Sequence, residues 1–145
     1  MWLSDLLDVY YLFDCVIYLL CRSKRGSMKV REIKNFPIRD SEGKNYFIIK
    51  IETDADIHGL GEVGIPAWGG AIAKAIEHLS EIVIGQDPFS TEKLWQHMFR
   101  GGFFPADKVY SCAISAIDIA LWDIKAKYLG MPLYKLLGGP VRDKV

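Results

Sequence analysis

The chain has 145 residues, half of them hydrophobic and a quarter charged, with 18 Lys plus Arg against 18 Asp plus Glu. That length suits one domain with a real core, and the balanced totals give no basic face for nucleic acid or an anionic membrane surface. Cys15, Cys21 and Cys112 form no C-x-x-C pair and no His stands at zinc-ligand spacing, so they read as reduced thiols of a cytoplasmic protein.

Residues 1–27 stand apart from the rest of the chain. Trp2 to Cys21 is rich in Leu, Tyr, Val and Ile, but Asp5, Asp8 and Asp14 interrupt it, and its longest uncharged run is Cys15 to Cys21. A spanning helix needs about twenty apolar residues, and a secretory signal carries its positive charge first, whereas Arg22, Lys24 and Arg25 come last here. Three readings stand: an upstream extension ahead of an internal start at Met28, a membrane-surface or partner-binding amphipathic helix, and a marginal membrane anchor. An exposed apolar stretch of this kind is a solubility liability.

From Met28 the pattern is strands, then helices. Val30 to Phe36 is extended and ends at Pro37, and the cluster Asp40-Ser-Glu-Gly43-Lys-Asn45 is a turn. Tyr46 to Thr53 alternates Phe47, Ile49 and Ile51 with Lys50 and Glu52, which predicts a half-buried strand. After a turn over 54–59, Leu60 to Val63 is a short third strand, and connections this short join antiparallel neighbours. Ala71 to Ile84 sets Ile72, Ala75, Ile76, Leu79 and Val83 on one helical face, and Thr91 to Phe99 sets Leu94, Trp95 and Met98 on another. Segments 85–90 and 101–108 are loops.

The last third is the most regular. Ile114, Ile117, Leu121, Ile124 and Tyr128 recur at helical intervals, so Ala113 to Leu129 is an amphipathic helix of about four turns. Ala113, Ala116 and Ala120 form a second stripe, small enough for a helix or a sheet to approach the backbone. Gly130 and Pro132 stop the helix, and Leu133, Leu136 and Leu137 give a short further turn closed by Gly138-Gly139-Pro140. The expected fold is α+β: a three-stranded antiparallel meander followed by a helical bundle.

The order Ala113-x-Ser-Ala-Ile-Asp118-x-Ala-Leu-x-Asp123-Ile-x-Ala-Lys127, then Pro132-Leu-x-x-Leu-Leu-Gly138, resembles the signature of the mandelate racemase/muconate lactonizing enzyme family of the enolase superfamily. Gly59-Leu-Gly-Glu62, Ile84-Gly-Gln-Asp-Pro88, Leu94-Trp95 and Phe99-Arg-Gly-Gly-Phe-Phe104 are similar to its sugar-acid dehydratase branch, near the galactonate and mannonate dehydratases. The resemblance runs from Met28 to Val145. It implies an N-terminal capping domain over 28–138, with 139–145 as the start of a barrel domain that is truncated, and 1–27 outside the pattern.

In the family such a domain caps a (β/α)-barrel whose strand ends hold Mg²⁺ on three carboxylates beside Lys or His acid-base groups. The ion there stabilises the enediolate formed when the proton next to a substrate carboxylate is removed. Those groups belong to the barrel, so the resemblance implies no catalytic residue, no metal ligand and no activity in this chain alone. Its partners would be the missing barrel domain, an acid-sugar substrate and further copies in a homo-oligomer, with no nucleic acid and no membrane. A racemase or cycloisomerase of the same family, or a non-catalytic oligomerisation or partner-binding module, are the other readings.

What a capping domain contributes is selectivity and exclusion of water, through loops after its first and third strands. Those positions correspond here to Pro37-Ile-Arg39-Asp40 and to 64–70. Arg39 is the candidate partner for a substrate carboxylate or distal hydroxyl, and Trp68 the candidate wall for the sugar chain, against a solvated turn charge and simple packing respectively. Phe103 and Phe104 lie near the pocket or, more simply, in the core. Glu62 is expected to be a structural hydrogen-bond acceptor and Ser115 a packing residue. His58, His78 and His97 show no ligand spacing. Asp118 and Asp123, five apart, face different ways and cannot form an acid-base pair. Gly59-x-Gly61 lacks the third glycine and the helix of a dinucleotide site.

Overall fold

The computed structural model describes residues 28–102, 106–142 and 144. The expectations for 1–27 and for Phe103 and Phe104 lie outside these residues. Three antiparallel strands, β1 (Val30–Arg39), β2 (Asn45–Thr53) and β3 (His58–Glu62), form one sheet in the order β1-β2-β3. A 3-10 turn at Pro66–Trp68 leads into α1 (Gly69–Val83), followed by α2 (Thr91–Arg100), α3 (Lys108–Tyr128) and the single turn α4 (Leu133–Leu136). This is the α+β meander with helices that the periodicity predicts.

The alternation in β2 sends Phe47, Ile49 and Ile51 inward, and all three are buried. Ile72, Ala75, Ile76, Leu79 and Val83 of α1 meet them, together with Leu94 and Met98 of α2. The α3 stripe Ile114, Ile117, Leu121 and Ile124 completes the core. The opposite sheet face carries the ion-paired row Lys34, Lys50 and Glu52, in which Lys50 and then Lys34 hold the Glu52 carboxyl below its usual range.

The small stripe of α3 has a specific use. A Cβ built on Gly59 would fall 1.9 Å from the Ala120 carbonyl oxygen, and one on Gly61 would fall 2.0 Å from that of Ala116. Strand β3 therefore rests on the backbone of α3 at a separation that only glycine permits. Two polar contacts hold the seam. Leu60 donates its N–H to Asp123 Oδ2 at 2.9 Å, and Lys127 Nζ donates to the His58 carbonyl at 2.8 Å. The Gly-x-Gly pair is a packing device.

Several boundaries differ from the expectation. Strand β1 runs past Pro37 to Arg39, because Pro37 pairs with Phe47, whose carbonyl accepts from Val63 of the third segment. Pro37's missing N–H therefore faces the free edge, where it removes no ladder bond. Helix α3 begins five residues before Ala113, since Asp107 Oδ1 accepts the Tyr110 N–H at 3.0 Å and caps the first turn. Its other end follows the expected stop: Gly130 has φ +61°, Gly130 N–H bonds Lys127 O, and Met131 N–H bonds Ala126 O. Tyr128 belongs to the apolar stripe by spacing, yet it is half exposed and meets Phe89 edge-on with ring centroids 5.0 Å apart. Ser115 lies off the alanine stripe and is exposed, so it packs nothing.

Candidate functional site

The short turn between β1 and β2 decides which residues face one another. Asp40 Oδ1 accepts the N–H groups of Glu42 and Lys44, at 3.0 and 2.8 Å, and the Asp40 carbonyl accepts from Gly43. This Asx-type turn occupies the Asp40 carboxylate and sets Arg39 opposite Asn45 and Ile38 opposite Tyr46. The guanidinium of Arg39 lies along the turn, 3.5 Å from where a Cβ on Gly43 would stand. Arg39 is exposed and makes no ion pair among the described residues. A second cation stands close by: Lys44 Nζ lies 5.0 Å from the centroid of the Tyr46 ring.

The segment after β3 comes back to the same end of the sheet. Phe47 is the hinge of this arrangement, paired with Pro37 on one side and 3.1 Å from a Cβ built on Gly69 on the other. Between the two segments lies an open cleft of about 410 Å³, lined among others by Arg39, Asn45, Tyr46, Ala67, Gly69 and Gly70. That volume is within the range of small-molecule sites. The fold thus brings Arg39 and the 67–70 segment to one cleft from positions nearly thirty apart in sequence. Trp68 itself does not line it; the indole is 56% exposed, beside the cleft, where it ends the 3-10 turn and precedes α1.

Asn45 and Tyr46 are cleft residues that reading the sequence missed. The signal was present in the tight Asp40–Lys44 turn, which places the residues after it directly across from Arg39. Glu62 differs from its expected role: its side chain is exposed and accepts no hydrogen bond among the described residues. His78 and His97 are exposed and line a second hollow of about 380 Å³ with Asp107 and Tyr110, while His58 lies at the far end of the sheet.

Asp118 and Lys125 are half-buried on the side of α3 that meets the start of α2. Burial pushes the Asp118 carboxyl up, with Lys125 opposing and Glu92 adding to the shift; burial also pulls the Lys125 ammonium down. Lys125 Nζ donates to Thr91 Oγ1 at 2.8 Å and stands 4.4 Å from the Trp122 centroid, which ties α2 to α3. These are structural contacts, remote from the cleft. Among the described residues no group of three His, Cys, Asp or Glu side chains is arranged to hold a metal ion. The described residues therefore offer no donor set that fits Mg²⁺. Nor, among the described residues, is any helix long and apolar enough to cross a membrane.

The three-stranded antiparallel meander followed by helices is a fold that this chain shares with enolase-superfamily proteins. Residues 30–138 match the model of the mandelate racemase/muconate lactonizing enzyme N-terminal domain, and the chain belongs to that family. It is 46% identical over 100 residues to a D-galactonate dehydratase of Ralstonia pickettii, covering 69% of this chain and 26% of that one. It is 43% identical over 104 residues to a D-mannonate dehydratase of Novosphingobium aromaticivorans, covering 71% and 26%. A member of the enolase superfamily from Salmonella Typhimurium superposes with TM-score 0.75 at 38% identity, over 80% of this chain and 31% of that one. An enolase from Pantoea ananatis, solved with bound D-gluconate and Mg, superposes with TM-score 0.73 at 36% identity, over 80% and 28%. The chain spans between about a quarter and a third of the length of these relatives.

Proposed function

We propose that residues 28–138 form the substrate-selecting cap of an acid-sugar dehydratase, working over a (β/α)-barrel that begins at 139–145. The observation that carries this reading is the convergence of Arg39 and the 67–70 segment on one open cleft. A guanidinium at the rim that makes no ion pair among the described residues suits a carboxylate or a sugar hydroxyl, with bidentate geometry available to it. Asn45 and Tyr46 add neutral donors and acceptors, and the flat Trp68 ring beside the cleft offers a wall for the carbon chain. Closing such a cap over a barrel excludes water from the reacting centre. The proton abstraction itself, and the Mg²⁺ that stabilises its product in this superfamily, belong to the barrel. The chain by itself is inactive in this reading.

The test joins this cap to a barrel that works. Residues 28–138 replace the corresponding domain of the Ralstonia pickettii D-galactonate dehydratase, and the chimera is assayed over a panel of aldonates. Changing Arg39 to Met is expected to raise KM for the preferred aldonate about tenfold or more while kcat changes less, the pattern of lost uniform binding. An unchanged KM would return Arg39 to the role of a solvated turn charge.

A further inference from the structure

The polar residues lining the cleft are Arg39, Asn45 and Tyr46, and all three flank the turn that Asp40 opens. Asp40 itself does not line the cleft. Its polar groups are committed to the turn instead. Oδ1 accepts the Glu42 and Lys44 N–H groups, the Asp40 N–H donates to the Lys44 carbonyl at 3.0 Å, and the Asp40 carbonyl accepts from Gly43 at 3.1 Å. One residue thus takes part in four hydrogen bonds within residues 40–44.

What these bonds fix reaches the cleft along both strands. On β1, Arg39 is paired with Asn45, and its guanidinium lies against Gly43. Gly43 has φ +85°, in the left-handed region that suits a residue without Cβ, and a side chain there would stand against the guanidinium. On β2, Lys44 is bound to Asp40 through both its N–H and its carbonyl, and its ammonium sits 5.0 Å from the centroid of the Tyr46 ring.

Among the described residues no ion pair holds Arg39, so the direction in which it meets an acid group is set by the backbone it stands on. Ordering a long side chain on binding costs affinity, and a turn that fixes its backbone in advance lowers that cost. We infer that Asp40 is a positioning residue of the cleft: its carboxylate touches no ligand but holds Arg39 opposite Asn45 and beside Tyr46 in the arrangement that takes an acid sugar. The inference rests on the proposed role of the cleft as a binding surface for acid sugars. Ala at this position leaves the Glu42 and Lys44 N–H groups without their acceptor, whereas Asn keeps an oxygen for them.

The test titrates D-galactonate into the whole chain and follows the NMR signals of Arg39, Asn45 and Tyr46. Sodium chloride at equal concentration is the blank, and the temperature is kept well below the melting point of every variant. Asp40→Ala is expected to weaken binding about fivefold or more, and Asp40→Asn to bind like the parent. Because Asp40 acts through Arg39, Asp40→Ala is expected to add less than about twofold in an Arg39→Met background, where independent residues would show their full separate losses. An Asp40→Ala chain that binds like the parent would overturn the inference and leave the role of the cleft standing. So would equal weakening by Ala and Asn, or an undiminished loss on top of Arg39→Met. A parent whose signals move no more than in the blank would end the acid-sugar role of the cleft, and the inference with it.

Discussion

The Asp123 carboxylate accepts the amide N–H of Leu60 at 2.9 Å across 63 positions of chain, and so fastens the edge strand β3 to the longest helix. The same oxygen meets Lys127, whose ammonium also reaches the His58 carbonyl. Changing Asp123 to Ala leaves the Leu60 N–H and the Lys127 ammonium without this partner. The expected loss is about 1 to 3 kcal/mol, the scale of a hydrogen bond to a charged group, measured by urea denaturation. Asn at this position is expected to lose less, since it keeps an acceptor.

The seam beneath that bond makes a sharper prediction. Ala in place of Gly61 puts a methyl on the Ala116 carbonyl, and β3 must lift from α3 to admit it. Gly70, in the first turn of α1, has nothing within 4 Å of the place a methyl would take there. Gly61→Ala is expected to cost about 3 kcal/mol or more, as for overpacked sites. Gly70→Ala is expected to be neutral or to stabilise by up to about 1 kcal/mol through helix propensity. Two denaturation curves decide it.

Asp118 predicts a pH dependence. Its carboxyl is raised above the ordinary 3.8 by burial, so folding favours the protonated form. Its contribution is then most favourable below the unfolded value and is lost as pH rises through the folded one. Asp118→Asn should therefore raise the urea midpoint at pH 7, and the gap between variant and parent should close under pH 3.8. Because the group is half exposed, the effect at neutrality is expected to stay under about 1 kcal/mol. A gap that widened in acid would contradict the sign.

The chain alone is expected to dehydrate no aldonate, with or without added Mg²⁺. The check is a coupled assay for the keto-acid product across D-galactonate, D-mannonate and D-gluconate. Turnover above background would place acid-base chemistry inside this domain and end the capping reading.

How much of this was legible differs from residue to residue. Ile72, Ala75, Ile76, Leu79 and Val83 were placed on the buried face of α1 by spacing alone, because a helix repeats locally. The Gly130 stop was legible for the same reason: a left-handed cap is a property of a few adjacent residues. The start of α3 at Lys108 was missed, although Asp107 carries the capping signal, because the apolar periodicity begins only at Ala113. Tyr128 kept the period but not the burial: it lies at the end of α3, half exposed, with the Phe89 ring edge-on to it. Arg39 and the segment around Trp68 were found separately. Asn45 and Tyr46 escaped notice because their place in the cleft depends on strand register.

By itself the sequence determined the kinds of element, their buried faces and the family, since each rests on patterns within about twenty residues. Only the tertiary structure decided what the alanine stripe was for, which carboxylate holds β3, and that Arg39 shares a cleft with Gly69 while Trp68 stands beside it. The reason is physical. Periodicity records which side of an element avoids water, whereas the partner on that side is fixed by how whole backbones fit together.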